Sequence, residues 1–98
     1  MLTRGYTSAG GAGGAASGRV HNEDLSGAIN GINQIYTPAA AFVAGSEVVK
    51  YNGVDQREDA SSDYVRSESG GAGTGYDTIT FAFAPIAGDN LLIDYDPA

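Results

Sequence analysis

Residues 78–83 read TITFAF, and this stretch decides the fold class. Its large apolar side chains, Ile79, Phe81 and Phe83, alternate with threonines and an alanine. Successive side chains of a β-strand point to opposite faces, so the alternation predicts a strand with one buried face. Pro85 lacks a backbone N–H, and we expect strand pairing to end before it.

A second strand is predicted at residues 91–95, LLIDY, where the same alternation recurs. The connecting stretch contains Gly88 and Asp89, and both residue types favour turns. The sequence therefore predicts that residues 78–83 and 91–95 pair with each other as a C-terminal hairpin.

Another hairpin is predicted upstream, where residues 47–51 read EVVKY. The next two residues, Asn52 and Gly53, form a dipeptide that accepts the positive φ angles of a type I′ turn. Residues 54–56 would then begin the return strand of this hairpin.

Two more short strands are predicted, at residues 34–37 and 63–68. In the first, either the isoleucine or the tyrosine could face inward, and we favour Tyr36. In the second, Tyr64 and Arg66 would share one side of the strand. The predicted core consists of large side chains contributed along the body: Tyr36, Phe42, Val49, Tyr51, Ile79, Phe81, Phe83, Leu91, Ile93 and Tyr95.

Together these elements indicate an all-β fold, a small antiparallel β-sandwich or barrel of about five to seven strands. Within it, the glycine-rich residues 69–77, SGGAGTGYD, would form a long hairpin loop. The tip of that loop is either a mobile contact for a partner or a tolerated insertion. A chain of 98 residues is long enough for one domain. We assign residues 20–98 to a β-sandwich domain and residues 1–19 to a flexible N-terminal arm.

The N-terminal arm is rich in glycine and alanine, and its residues 8–18, SAGGAGGAASG, contain five glycines. Such a stretch cannot bury enough apolar surface to offset the entropy lost on ordering. The arm carries two arginines and no acid, a charge of +2, which leaves −9 on the rest of a chain with net charge −7. It could therefore dock on the anionic body of a neighbouring copy, a disordered terminus being the alternative. The candidate assembly residues are Leu2, Arg4, Tyr6 and Arg19.

The composition argues against several classes of function. The chain has no cysteine, hence no disulfide and no cysteine-ligated metal. Its net charge of −7 disfavours a nucleic-acid binder, which needs clustered cations. We also expect no membrane partner, because no run of about eighteen apolar residues occurs and the N-terminus lacks the apolar centre of a signal peptide.

Residues able to perform chemistry are few. His21 is the single histidine, and beside a flexible arm we expect it to be solvated. The acidic stretch 55–63 lacks the EF-hand spacing and contains Arg57, which would oppose a bound cation. Asp94 and Asp96 could share one face of a strand, but the second lies near the C-terminus, where rigidity is poor. We therefore expect no catalytic, cofactor or metal site and a protein that is not an enzyme, a small hydrolase or metal-dependent enzyme being the remaining alternative.

Four stretches of the body carry a resemblance through the order in which they follow one another. They are GAINGINQIYTP at 27–38, FVAGSEVVKYNGVDQ at 42–56, DYVRSES at 63–69 and TITFAFAPIAGDNLLIDY at 78–95. In this order they resemble a small β module of tailed-bacteriophage virion proteins, and the match covers about two-thirds of the chain. The arm and the 69–77 loop depart from that pattern. The resemblance implies a β-sandwich used as a building block in tails, baseplates, necks and capsid surfaces.

The expected function is therefore that of a structural subunit of a tailed-phage virion, on the neck or tail or decorating the head. It would assemble with copies of itself and with other virion proteins, such as portal, tail or capsid subunits, after synthesis in the host cytoplasm. The alternative is a carbohydrate- or receptor-binding module of a phage tail or surface protein. In that case exposed tyrosines, such as Tyr64 and Tyr76, would stack on sugars.

Overall fold

The computed structural model describes residues 18–98, and its regular elements are all β-strands. Within these residues, no helix is long and apolar enough to cross a bilayer. Three of the four candidate arm residues, Leu2, Arg4 and Tyr6, lie outside the described part of the chain. The seven strands are β1 (Val20–Asp24), β2 (Ile35–Tyr36), β3 (Val48–Tyr51), β4 (Val54–Asp55), β5 (Tyr64–Ser67), β6 (Thr78–Phe81) and β7 (Leu91–Tyr95).

The strands form two antiparallel sheets. The first sheet has the order β1-β7-β3-β4, and the second has the order β2-β6-β5. Both sheets contribute their inward residues to one shared hydrophobic core. The predicted all-β class, with about five to seven antiparallel strands, is confirmed.

The core agrees closely with the residues that the alternation selects. Tyr36 rather than its neighbour Ile35 faces inward, and it meets Phe81 edge-on with ring centroids 5.7 Å apart. Tyr51 and Phe83 are partly buried and pack against the core instead of lying inside it. Two members of the hydrophobic core were absent from the predicted set, Leu25 and Tyr64. The fully or nearly fully buried members of the predicted set are Tyr36, Phe42, Val49, Ile79, Phe81, Leu91, Ile93 and Tyr95.

The predicted C-terminal hairpin is wrong. β6 lies in the three-stranded sheet and β7 in the four-stranded sheet, so residues 82–90 cross from one sheet to the other. The contact between Phe83 and Tyr51, with ring centroids 4.8 Å apart, spans the two layers at this crossing. The apolar faces of β6 and β7 therefore pack across the core, because alternation determines which side of a strand is buried but not which strand is its neighbour.

The other two hairpins form where the sequence predicts them. β3 and β4 pair through the turn at Asn52 and Gly53, whose φ angles of 50° and 83° are those a type I′ turn requires. β5 and β6 pair with Ser67 opposite Thr78, so the glycine-rich loop joins adjacent antiparallel strands.

β1 was not predicted, and its sequence, VHNED, shows why. Val20 is its only apolar residue, and the pairing with β7 is interrupted between Val20 and Glu23. The strand is held by tertiary contacts instead. The carboxylate of Glu23 accepts hydrogen bonds from the Tyr95 hydroxyl at 2.9 Å and from the Ala39 N–H at 2.7 Å.

Short backbone links join the two sheets along both sides. Ser26, after β1, and Thr37, after β2, exchange two hydrogen bonds of 2.8 and 3.0 Å. On the opposite side, the carbonyl of Arg57 accepts the N–H of Tyr64 at 3.2 Å, and the carbonyl of Tyr64 accepts the N–H of Asp59 at 2.9 Å. These links cover part of the outer strand edges, which makes the sandwich resemble a flattened barrel.

Candidate functional site

One end of the sandwich receives the chain as it enters β1, and we call it the arm end. Arg19 precedes β1 and Asp96 follows β7, and the pairing of Val20 with Tyr95 brings the two side chains together. The guanidinium of Arg19 lies 3.1 Å from the Asp96 carboxylate, and both groups are partly exposed. Arg19, the described member of the four candidate assembly residues, is thus attached to its own body.

Loops from both sheets build the rest of the arm end. The N–H of Phe42 donates to the carbonyl of Tyr76 at 2.8 Å, and the N–H of Val43 donates to the carbonyl of Asp96 at 2.9 Å. The ring of Phe42 also packs against Tyr76 and Tyr95, with centroids 6.1 Å from each. Phe42 therefore ties the start of β6 to the end of β7 without belonging to a strand.

A buried ionic cluster lies between the sheets. Glu47, just before β3, has a side chain only 1% exposed. One of its oxygens accepts the N–H of Gly45 at 2.9 Å. The other accepts the Tyr64 hydroxyl at 3.0 Å and the Arg66 guanidinium at 2.9 Å. Burial and the neighbouring Glu47 carboxylate raise the pKa of Tyr64 well above its ordinary value, so the hydroxyl remains a proton donor.

Arg66 extends this cluster toward the surface. Its guanidinium lies 3.4 Å from the Glu58 carboxylate and 5.4 Å from the centre of the Tyr76 ring. Both oxygens of Glu47 accept hydrogen bonds, so the cluster clamps the two sheets together. Sequence reasoning missed Glu47 as a functional residue. The signal was present, because an arginine sharing an inward face with Tyr64 requires a carboxylate nearby.

The tyrosines expected to stack on sugars are not exposed platforms. Tyr64 is only 3% exposed, because its ring belongs to the core and its hydroxyl is held by Glu47. Tyr76 is half-buried between Phe42 and Arg66. The expectation of exposed stacking tyrosines at these two positions is therefore wrong.

His21 lies on the surface as expected, with a side chain 63% exposed. Its Nδ1 is 3.6 Å from Asp94, which also meets the ammonium of Lys50 at 3.3 Å and the N–H of Asn22 at 2.7 Å. Burial acts to raise the pKa of Asp94, but the bonds from Asn22 and Lys50 outweigh it and the pKa is lowered. Asp94 and Asp96 take different cationic partners, Lys50 and Arg19 respectively.

The acidic stretch 55–63 also serves the fold. The Asp63 carboxylate accepts the N–H of Arg57 at 2.9 Å, and Glu58 pairs with Arg66. In residues 18–98, no three histidine, aspartate or glutamate side chains are grouped so as to hold a metal ion.

The glycine-rich loop is organised by two of its own carboxylates. Glu68 accepts the N–H groups of Gly73 at 3.0 Å and Gly75 at 2.9 Å. Asp77 accepts both the hydroxyl and the N–H of Ser69 at the base of the loop. The side-chain bond from Ser69, followed by the backbone bond, lowers the pKa of Asp77. These bonds hold the loop along its length and at its base, and the two expectations for its tip, a mobile partner contact or a tolerated insertion, stay predictions.

The two outer faces of the sandwich differ in charge. On the four-stranded sheet, Lys50 and Asp94 point outward and form an ion pair. On the three-stranded sheet, the outward residues are all uncharged, since Tyr36, Tyr64, Ile79 and Phe81 point into the core. We call this second surface the neutral face, and it consists of Ile35, Val65, Ser67, Thr78 and Thr80.

The neutral face has a raised and a hollow side. Ile35 and Val65 both pair with Thr80, so the three residues form one row across β2, β6 and β5. Ile35, at one margin, is 55% exposed. Beside Val65, at the other margin, a hollow of about 120 Å³ has mainly apolar walls that include Ala60. Ligand pockets for drug-sized molecules are usually about 300 Å³ or more, so the hollow suits a single side chain better than a substrate.

Comparison of the chain with family models, with curated proteins and with solved structures found no match.

Proposed function

We propose that this chain is a structural subunit of a tailed-phage virion, placed on the neck or tail or decorating the head. It would act through contacts of its β body with copies of itself and with portal, tail or capsid proteins. Its N-terminal arm would add contacts on a second subunit. The order of β elements supports the phage assignment by resemblance. The contacts within the body, the length of the arm and the distribution of charge support an assembly role.

The observation that carries the proposal is the use made of the carboxylates. Glu47 joins the two sheets, and Glu68 holds the glycine-rich loop. Asp89 joins the β3–β4 turn to the crossing between the sheets, because it accepts the Tyr51 hydroxyl at 2.7 Å and the N–H of Ile86 at 2.9 Å. These carboxylates are used to hold side chains and backbone of the fold in place, which is the behaviour of a rigid building block.

The arm and the body have the proportions that an arm-mediated assembly needs. Residues 1–17 could span roughly 56 Å when fully extended at about 3.3 Å per residue. The longest dimension of the body is 41 Å. An arm leaving the arm end can therefore reach past its own body to a neighbour. A tether of this kind strengthens a weak contact by raising the effective concentration of the second one.

Charge favours the same arrangement. All twelve carboxylates and four of the five cations fall in residues 18–98, which therefore carry −8, while residues 1–17 carry +1. Identical bodies of this charge repel one another wherever acidic surfaces meet. Contacts between copies are thus expected to use uncharged surfaces or the cationic arm.

Two experiments test the proposal. Mass spectrometry and immunogold electron microscopy of purified particles should detect the protein as a stoichiometric component. A chain lacking residues 2–18 should keep the circular dichroism spectrum and unfolding midpoint of the full chain but enter particles poorly. The matched control replaces Leu2 and Tyr6 with serine, which keeps arm length and charge while removing its large side chains. Absence of the full-length protein from particles would overturn the proposal.

A further inference from the structure

We propose that the neutral face binds the neutral face of a second copy, about a two-fold axis that runs along β6. This inference rests on the proposed function, since it identifies the surface through which copies of the subunit meet. A two-fold contact of this kind places each residue opposite its symmetry partner, so the surface must be complementary to itself.

Charge selects this face from the other large surface of the body. The outward side of the four-stranded sheet carries Lys50 and Asp94, whereas the five residues of the neutral face carry no charge. In a chain with net charge −7, the neutral face lets two bodies approach with no carboxylate among the five residues that face each other. Asp59 borders the hollow and Asp77 bonds to Thr78, so the acids stand at the margins of the face, where an interface has its polar rim.

The row of Ile35, Thr80 and Val65 supplies the shape complementarity. Neighbouring strands lie about 4.8 Å apart, so Ile35 and Val65 stand at nearly equal distances on either side of Thr80. Rotation by half a turn about β6 brings each Ile35 over Val65 and the hollow of the other copy. A cavity of about 150 Å³ accommodates a benzene ring, so a hollow of about 120 Å³ is of the size that suits an aliphatic side chain.

The same rotation leaves Thr80 on the axis, opposite Thr80 of the second copy. The face is only three strands wide and consists of five side chains, whereas a standard stable interface uses about 20–30 residues a side. We therefore expect a weak dimer in isolation, strengthened when the arm holds the two copies together.

The test introduces charge at the axis in the full-length chain. Thr80→Glu and Thr80→Lys each place two like charges opposite each other, so each variant alone should raise the dimer dissociation constant by at least about tenfold. An equimolar mixture of the two variants pairs opposite charges, and it should associate at least as tightly as the wild type. Sedimentation velocity over a range of concentrations measures all three.

Two controls separate the surface from general effects. Val54→Glu adds the same charge at a residue that is 63% exposed on β4, outside the neutral face, and should leave association unchanged. Ile35→Ser removes the side chain that enters the hollow and should weaken association without adding charge. Unfolding midpoints of all variants should stay near that of the wild type, since Thr80 and Ile35 point outward and Val54 is exposed.

The outcomes distinguish this inference from the proposed function. A wild type that remains monomeric at all concentrations would overturn the inference, as would self-association that Thr80→Glu leaves intact or that the mixture fails to restore. The proposed function would be overturned by a different result, the absence of the protein from particles.

Discussion

The Tyr64 hydroxyl, on β5, donates a hydrogen bond of 3.0 Å to the carboxylate of Glu47, which lies just before β3 in the opposite sheet. This bond and the parallel one from Arg66 are side-chain contacts that cross from one layer of the sandwich to the other. Such a link fixes how the sheets sit against each other, which apolar packing alone specifies less sharply.

Removal of the Glu47 carboxylate should be strongly destabilising. Glu47→Ala leaves the Tyr64 hydroxyl and the N–H of Gly45 without their partner, and Arg66 keeps Glu58 as its one carboxylate partner among the described residues. Removing one member of a buried charge pair leaves the other groups buried without a partner. We therefore expect a loss of about 3 kcal/mol in the free energy of unfolding. Urea denaturation followed by circular dichroism measures it.

The matched control is Glu58→Ala, which removes the other carboxylate that contacts Arg66. The side chain of Glu58 is 30% exposed, so its loss should cost less than about 1 kcal/mol. Equal effects of the two substitutions would mean that Glu47 is an ordinary surface partner of Arg66 and not an inter-sheet clamp.

The clamp also predicts a dependence of stability on alkaline pH. In the unfolded chain Tyr64 ionises near pH 10, whereas burial and the Glu47 carboxylate raise the pKa of Tyr64 in the folded protein. Its contribution is therefore complete below about pH 10 and is lost as the pH rises toward the folded value, since the unfolded chain releases its proton first.

Tyr64→Phe removes this contribution, so its unfolding free energy should fall less steeply above about pH 10 than that of the wild type. In the variant, the slope of the unfolding free energy against pH should decrease rather than vanish. The hydrogen bond to Asp89 raises the pKa of Tyr51, and burial raises the pKa of Tyr95, so both tyrosines also contribute to this slope. Urea titrations at several pH values between neutrality and the alkaline transition measure the two slopes. Parallel pH profiles for variant and wild type would contradict the assignment.

Much of the fold was predictable because burial leaves a record in the alternation of side chains. TITFAF and LLIDY identified β6 and β7, and Asn52 with Gly53 identified the β3–β4 turn. The pairing of β6 with β7 was not predictable in the same way. Alternation is a property of one strand, whereas the choice of neighbour depends on how the 82–90 segment crosses the core.

The functional surfaces were harder to predict for related reasons. β1 has a polar sequence and depends on Glu23 contacts with residues distant in the chain, which no local pattern reveals. The neutral face arises only after three separate strands are placed side by side in register. Tyr64 was misread as exposed, because the pattern at residues 63–68 puts Tyr64 and Arg66 on one side of a strand but does not show that this side faces the core.

Gly27 and Gly45 each lie between an alanine and a serine, but they should respond differently to substitution by alanine. A Cβ at Gly27 would lie 2.5 Å from the ring of the buried Tyr36, whereas a Cβ at Gly45 would meet nothing within 4 Å. Both have positive φ, of 154° and 86°, so both substitutions strain the backbone. Only Gly27→Ala also displaces a core side chain, and it should cost about 2 kcal/mol more than Gly45→Ala. Thermal and urea unfolding compare them, and equal losses would place Tyr36 away from Gly27.

The glycine-rich loop should depend on Glu68 for its local order. Glu68→Ala removes the acceptor shared by the N–H groups of Gly73 and Gly75, so both amides should exchange with solvent about tenfold faster. Global stability should change by less than about 1 kcal/mol, because the loop lies on the surface. Hydrogen exchange followed by nuclear magnetic resonance resolves the individual amides.

The N–H of Ser69, which donates to Asp77 instead, is the internal control and should keep its rate. Acceleration of all three amides alike would indicate that the loop opens as one unit, and unchanged rates at Gly73 and Gly75 would mean that Glu68 does not hold it.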